Sequence, residues 1–455
     1  MRLRFDRGTL VFDQVSERED PSILVGATRD RELGAWRLPA DRLSGARVRL
    51  SAAGVRVSDE VRTARLDGEW ALPALRWYQQ HALDAWRRAG DRGVIALPTG
   101  AGKTLVAIGA MAALGVATLV IVPTRVLLDQ WARTLALAWP HPIGRLGDGD
   151  HTVAPITVAT YASTLAWAPR IGDRFGLAVV DEAHHVGAWC PGEIFEMLVA
   201  PARLGLTATP PAPGGALEHH VGDVAYALGV ADLVGDALAS FEVVTVPIEL
   251  LPDERAAYQA ARREFSRAFA KFQRDRPGSP WREFAKASRR TADGRAALAA
   301  WRASRAVLAY PAAKRAALCE LLERHAGERV LVFTADNATA YAIARELLVM
   351  PVTCDIGRAE RAEMLERFRA GDASVLVSAQ VLDEGLDVPE ADVAIIVGGT
   401  ASVRRHVQRV GRVLRPRPDK RAKVYELATR ATAETGQVIR RRRGLEPRDA
   451  MEARP

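Results

Sequence analysis

From residue 92 onward, short apolar runs of strand length alternate with longer segments whose apolar positions recur every three or four residues. The order is "GVIALP", a helical stretch over 103–115, "ATLVIVP", a helical stretch over 125–138, "ITVAT", a short helix, "LAVVDEAHH" and "ARLGLTAT". Fully apolar strands separated by amphipathic helices predict a parallel sheet covered on both faces. The rhythm returns in "VVTVPIEL", "RVLVFTA", "SVLVSAQ" and "DVAIIVGG", so two parallel-sheet α/β domains are expected. Between the two sets, 253–308 is rich in Ala, Arg, Phe and Trp and reads as helical throughout. Residues 1 to about 70 differ: "TLVFDQV" and "RVRLSAAGVRV" read as short strands broken by Gly and Pro. The expected division is 1–70, 71–228, 229–437 with an insertion at 253–308, and a basic tail, 438–455. There is no repeat of solenoid period.

Composition narrows the class. The chain has 455 residues, 48% of them hydrophobic, and no apolar run approaches the length of a membrane helix. The N-terminus lacks the apolar stretch of a signal peptide. Cys190, Cys319 and Cys354 have no paired spacing, which suits a reducing, cytoplasmic setting and argues against a disulfide frame or zinc site. The net charge is +8. Between Asp253 and Arg305 there are 14 Lys and Arg against 6 Asp and Glu, an excess equal to that of the whole chain. A basic helical insert of this kind points to a polyanionic partner.

The chemistry starts at "PTGAGKT" (98–104), which follows a buried strand and opens an apolar helix. Glycines let backbone N–H groups approach phosphate oxygens, and the helix N-terminus adds a positive dipole. Gly100 and Gly102 supply the turns, Lys103 reaches the β- and γ-phosphates, and the Thr104 hydroxyl suits Mg²⁺. Leu97 stands where the general pattern has its first glycine, and reads as the last residue of the buried strand. In "LAVVDEAHH" the pair Asp181 and Glu182 falls at the C-terminal end of a buried strand, where ligands bind in such sheets. Asp181 is assigned to the metal and Glu182 to the attacking water. His184 is assigned a coupling role, and His185 a structural one. In "QRVGRVLR" (408–415), Gln408, Arg412 and Arg415 share a helix face, and the arginines can neutralise charge on a γ-phosphate. In "DEGLDVPEAD" (383–392), Gly385 and Asp387 can approach a ribose.

Taken in order, these segments resemble the motifs of superfamily 2 helicases over residues 75 to 430. "LRWYQ" corresponds to the segment whose glutamine, Gln79, reads adenine; "PTGAGKT" to motif I; "VPTRVLLDQW" to motif Ia; "TVATYAST" to a DNA-contacting motif; "DEAH" to motif II and "LTATP" to motif III. "VLVFTAD", "LDEGLDVPEAD" and "QRVGRVLR" correspond to motifs IV, V and VI. Within the superfamily the chain looks most like the XPB group. "GATRDRELGAWRLPADRL" (26–43) is similar to the small N-terminal DNA-binding domain of its archaeal and bacterial members.

The resemblance implies two RecA-like motor domains using ATP and Mg²⁺, with the basic insertion as a thumb-like element. It assigns Thr124, Arg125, Thr160 and Ser163 to the phosphates of a DNA strand, and Thr207 and Thr209 to the link between nucleotide and DNA. The implied activity is a DNA-dependent ATPase moving 3′ to 5′, a helicase or translocase of DNA repair. Two alternatives are a duplex translocase serving a repair or defence assembly, with any nuclease a separate partner, and a nucleotide-controlled binding switch. One departure stands out: the region after motif III, "PPAPGGALEHHVGDVAYAL", lacks the group's Arg-Glu-Asp element, and the "RED" at 18–20 lies in another domain. In the insert, Phe265, Phe269 and Phe272 read as a core stripe. Trp281, after "RPGSP", is placed in a turn as a base-stacking candidate.

Overall fold

The computed structural model describes residues 1–15, 24–209, 213–234, 240–379, 391–398 and 421–442. The chain divides into two compact units, with the boundary between Gly229 and Val230.

The first unit begins with strands β1 (Arg2–Asp6), β2 (Thr9–Asp13), β3 (Thr28–Asp30), β4 (Ala35–Pro39) and β5 (Ser58–Asp59), in the order β3-β4-β2-β1-β5. The pairing is antiparallel except between β1 and β5. Arg37 donates to both Asp6 and Asp30, and this contact holds the Asp30 carboxyl below its ordinary range. "RVRLSAAGVRV" is not a strand. Its first half belongs to helix α1 (Leu43–Ala52), which buries Leu43, Ala46 and Leu50 while Val48 faces solvent. Burial at spacings of three and four is the helical period, and it overrides the apparent alternation of "RVRL". These residues share one apolar cluster with Val199, and Gly8 lies against Met197. The N-terminal sheet therefore packs within the first unit.

The same unit continues as α2 (Trp77–Arg88), β6 (Arg92–Ala96), α3 (Lys103–Leu114), β7 (Thr118–Val122), α4 (Arg125–Ala138), β8 (Gly144–Gly147), β9 (Asp150–Thr152), β10 (Ile156–Thr160), α5 (Tyr161–Ile171) and β11 (Leu177–Val180). It ends with α6 (Glu193–Glu196), β12 (Ala202–Thr207), α7 (Ala216–His220) and β13 (Val224–Ala227). The described strands form one sheet, β13-β6-β12-β11-β7-β10-β8-β9, parallel except where β9 turns back on β8. Every residue of β7, β11 and β12 is buried, which is why these strands read as unbroken apolar runs. The exception is Arg203 in β12. Its guanidinium donates to the carbonyls of Phe195, Leu198, Ala200 and His220, and burial lowers its pKa to about 10.

The second unit holds a parallel sheet of six described strands: β14 (Ser240–Ile248), β15 (Val330–Phe333), β16 (Met350–Val352), β17 (Val375–Ser378), β18 (Val393–Ile396) and β19 (Arg421–Thr429). Their order is β14-β19-β18-β15-β17-β16. Between β14 and β15 lie α8 (Pro252–Asp275), α9 (Trp281–Ser288), α10 (Ala292–Ala309) and α11 (Ala312–Arg324); α12 (Asn337–Leu347), α13 (Arg358–Ala370) and α14 (Ala433–Arg442) follow. The stretch 253–308 is thus helical apart from short turns, and α14 runs past Gln437 as far as Arg442. Phe265 and Phe284 are buried in a cluster of their own, packed by Phe269, Phe272 and Trp301. Trp281 is not in a turn. It is the first residue of α9, with Pro280 as N-cap. Its ring lies 4.8 Å from that of Trp301 and 5.4 Å from that of Phe284, at the rim of the cluster and 38% exposed. The turn lies just before it, at Arg276–Ser279, and proline's fixed φ makes Pro280 a good entry to a helix. Among the described residues, no helix is long and apolar enough to cross a membrane.

Candidate nucleotide site and nucleic-acid interface

Five adjacent strands, β6-β12-β11-β7-β10, end on one edge of the first unit's sheet, and each candidate segment follows one of them. The glycine loop follows β6, Thr207 closes β12, and the Asp181-Glu182 pair follows β11. Thr124 and Arg125 follow β7, and Thr160 closes β10. Register keeps the ends level: Ala96 pairs with Thr207, Val180 with Gly205 and Ile121, and Val122 with Thr160.

Leu97 is fully buried and donates its N–H to Thr207 O at 3.0 Å, extending the ladder one residue beyond β6. The loop turns through Gly100 at φ 88° and Gly102 at φ 75°, both in the left-handed region that favours glycine. A Cβ on Gly102 would also lie 2.4 Å from Gln79 Nε2. Gln79 is buried beneath the loop. Its Nε2 donates to Ala101 O at 2.9 Å and its Oε1 accepts from the Arg76 N–H. The Tyr78 hydroxyl donates to the same carbonyl. The amide assigned to adenine thus braces the phosphate loop. Lys103 and Thr104 open α3, and the Lys103 ammonium reaches over the loop to Leu97 O and Pro98 O.

Asp181 is buried. Its Oδ1 accepts the Glu182 N–H and its Oδ2 accepts the indole N–H of Trp131 at 2.8 Å. The Tyr161 hydroxyl donates to Asp181 O at 2.7 Å and approaches Glu182 O at 3.3 Å. Glu182 has φ 48°, a strained conformation for a residue with a side chain, and strain of that kind concentrates at active sites. His184 Nδ1 lies 3.2 Å from Thr207 Oγ1 and 3.4 Å from Glu182 Oε2. The Thr207 hydroxyl donates to Thr209 O, so it accepts from His184 Nδ1–H. His184 Nε2 lies 3.0 Å from His185 Nε2, within hydrogen-bond distance. His185 is buried and stacks on Trp189 at 4.4 Å. Nearby Cys190 is buried too, and desolvation pushes its thiol pKa to about 12.

The nucleic-acid candidates sit on two neighbouring helix N-termini. Thr124 caps α4 by accepting from the Leu127 N–H. Thr160 caps α5 by accepting from the Ser163 N–H, and its hydroxyl donates to Ser163 Oγ. Arg125 is exposed and pairs with Asp148 at 2.8 Å. An exposed pair of this kind contributes about 0–1 kcal/mol, so a phosphate can displace it cheaply.

The first unit therefore brings together Gln79, Gly100, Gly102, Lys103, Thr104, Asp181, Glu182, His184, Thr207 and Thr209, with Thr124, Arg125, Thr160 and Ser163 beside them. Trp281 lies in the second unit. Gly385, Asp387, Gln408, Arg412 and Arg415 fall outside the described residues, as does the "RED" at 18–20. The residues match what a nucleotide with its metal requires. Positive-φ glycines lead into a helix N-terminus, and a hydroxyl and a carboxylate supply the oxygen ligands that Mg²⁺ prefers. Sequence reasoning missed Tyr78, Trp131 and Tyr161. All three lie inside segments already singled out, but each looks like an ordinary core aromatic until its hydroxyl or indole N–H is placed.

A glycine-lysine-threonine loop and an Asp-Glu pair on the same edge of a parallel sheet, one strand apart, define a P-loop nucleoside triphosphatase. Residues 72–212 match the family model for the type III restriction enzyme res subunit, and 313–417 match the helicase conserved C-terminal domain. The chain is 35% identical over 377 residues to the DNA 3'-5' translocase XPB2 of Sulfurisphaera tokodaii, covering 81% of this chain and 84% of that one. It is 28% identical over 391 residues to the DNA 3'-5' helicase XPB of Mycobacterium tuberculosis, covering 82% and 63%. The fold is similar to that of the Hef helicase domain of Pyrococcus furiosus, with a TM-score of 0.51 and 19% identity over 81% of this chain and 97% of that one. The chain belongs to the XPB family of superfamily 2 helicases.

Proposed function

We propose that this chain hydrolyses ATP with Mg²⁺ at the Lys103–Asp181 site and uses the energy to move 3′ to 5′ along DNA in repair or related processing. The observation that carries the reading is the shared sheet edge. The phosphate loop and two capped helix N-termini lie on it, and between them Asp181 and Glu182 follow β11.

In this reading Lys103 neutralises the β- and γ-phosphates, and Gly100 and Gly102 let backbone amides reach them. Thr104 and Asp181 hold Mg²⁺, which offsets charge on the phosphates when bound. Glu182 orients the attacking water and takes its proton. His184 lies 3.4 Å from that carboxylate and is hydrogen-bonded to Thr207, whose hydroxyl donates to Thr209 O just past the end of β12. Gln79 reads adenine and braces the loop. Thr124, Arg125, Thr160 and Ser163 hold phosphates of one DNA strand, contacts that carry no base information. Gly385 and Asp387 are assigned to the ribose, Gln408 to the same nucleotide, and Arg412 and Arg415 to the arginine-finger role. The domain division at 70, 228 and 437, with the insert at 253–308 as a thumb and Trp281 stacking a base, belongs to the same reading. So does a cytoplasmic location, supported by free cysteines at 190, 319 and 354.

A second reading is favoured by one specific feature. The region after Thr209 lacks the Arg-Glu-Asp element, which suits a duplex translocase that leaves unwinding, or cutting by a separate nuclease, to a repair or defence partner. The experiment is the ATPase rate of the purified chain with single-stranded, duplex and forked DNA and with RNA. DNA should stimulate the rate, and Lys103→Ala should abolish it. Equal rates with and without nucleic acid would favour a nucleotide-controlled switch and overturn the motor.

A further inference from the structure

We infer that Trp131 and Tyr161 are positioning residues: they transmit DNA contact at the N-termini of α4 and α5 to the alignment of Asp181 and Glu182, and so produce DNA-stimulated hydrolysis. The inference rests on the proposed motor function and adds the route by which DNA reaches the water-activating pair.

α4 and α5 leave adjacent strands, β7 and β10, at the same edge of the sheet. Each begins with a capping threonine assigned to a DNA phosphate, Thr124 or Thr160. Each also carries one buried aromatic whose polar atom ends on the Asp181-Glu182 turn. Trp131 donates from Nε1 to Asp181 Oδ2 at 2.8 Å, and Tyr161 donates from its hydroxyl to Asp181 O at 2.7 Å. Trp131 lies seven residues beyond Thr124, about 10 Å along a rigid helix. Tyr161 directly follows Thr160. A small tilt of either helix therefore moves the donor that orients the carboxylate or its backbone.

Three features make the turn responsive. An indole N–H can only donate, and here its acceptor is the carboxylate itself. The other oxygen, Oδ1, is fixed by the Glu182 N–H, so the plane of the carboxylate follows the position of Trp131. Glu182 sits at φ 48°, held there by its neighbours, and the surrounding core is packed too closely to absorb a shift. Phenylalanine at 161 keeps the ring and removes only the hydroxyl, so there the polar atom is separable from the packing; at 131 it also shortens a buried indole, so Tyr161→Phe is the cleaner of the two changes.

The test uses the full chain and the variants Trp131→Phe and Tyr161→Phe. Three quantities are measured: the ATPase rate with and without saturating oligodeoxythymidylate, the affinity for that oligonucleotide, and the affinity for a fluorescent non-hydrolysable ATP analogue with and without it. The parent should be stimulated. Trp131→Phe should lose about tenfold of the stimulation ratio, the scale of one hydrogen bond to a charged group, and Tyr161→Phe about threefold, the scale of one to a backbone carbonyl, with oligonucleotide affinity unchanged. The mutual strengthening of DNA and nucleotide binding should weaken in parallel. A ratio equal to the parent's in both variants overturns the inference. So does an equal fall in basal and stimulated rates, which would make the two residues static supports. If Trp131→Phe does not fold, Tyr161→Phe alone decides. A parent without stimulation removes the motor reading, and this inference with it.

Discussion

Glu182 gathers several constraints on one residue. Its left-handed backbone costs roughly 1–3 kcal/mol and is held by the bonds around it. The side chain points toward His184, which is itself bonded to Thr207. Replacing the carboxylate by an amide keeps this shape and removes the base. Glu182→Gln should retain nucleotide affinity and slow hydrolysis by roughly 10²- to 10⁴-fold, the usual contribution of a positioned base. Single-turnover hydrolysis beside nucleotide binding checks this; turnover near the parent's would remove Glu182 from the role. Residues of this kind were legible in the sequence because their chemistry demands particular types in a particular order: Gly-Lys-Thr after one strand, Asp-Glu after another. Trp131 and Tyr161 were not. Their partners lie 50 and 20 residues away, and an aromatic on an apolar helix face reads as core.

At the scale of elements, the buried parallel strands and their helices were legible because both faces are covered and each period is clean. The helix boundaries 103–115 and 125–138 fall within one residue of α3 and α4. Two elements were not legible. α1 buries only Leu43, Ala46 and Leu50 against a small sheet, too few positions to reveal a helical period beside the alternation of "RVRL". Trp281 followed proline and glycine, and nothing local showed that its indole meets Trp301. The insert's stability should rest on the Phe265 cluster, where Phe269 lies 5.6 Å and Phe284 6.0 Å away, centroid to centroid. Phe265→Ala should destabilise the insert by roughly 3–5 kcal/mol, the cost of emptying a packed aromatic site. Hydrogen exchange over 252–309 should rise, with nucleotide affinity unchanged. Unaltered protection there would show that the helices are held by something else.

For the whole molecule, the two-sheet organisation came from the repeated strand-helix rhythm, and the structure has a parallel sheet in each unit. The N-terminal segment was harder to place. Its contacts with Val199 and Met197 join residues nearly 200 positions apart, which no local pattern encodes. The +8 charge is concentrated in the helical insert, where it can follow a phosphate backbone without reading sequence. The central claim is that the Lys103–Asp181 site drives movement along DNA. It is tested most directly by ATP-dependent displacement of streptavidin from a single-stranded oligonucleotide biotinylated at one end. Displacement from the 5′ end, absent from the 3′ end and lost in Lys103→Ala, is the predicted result. Displacement from neither end, or displacement that survives Lys103→Ala, would contradict it.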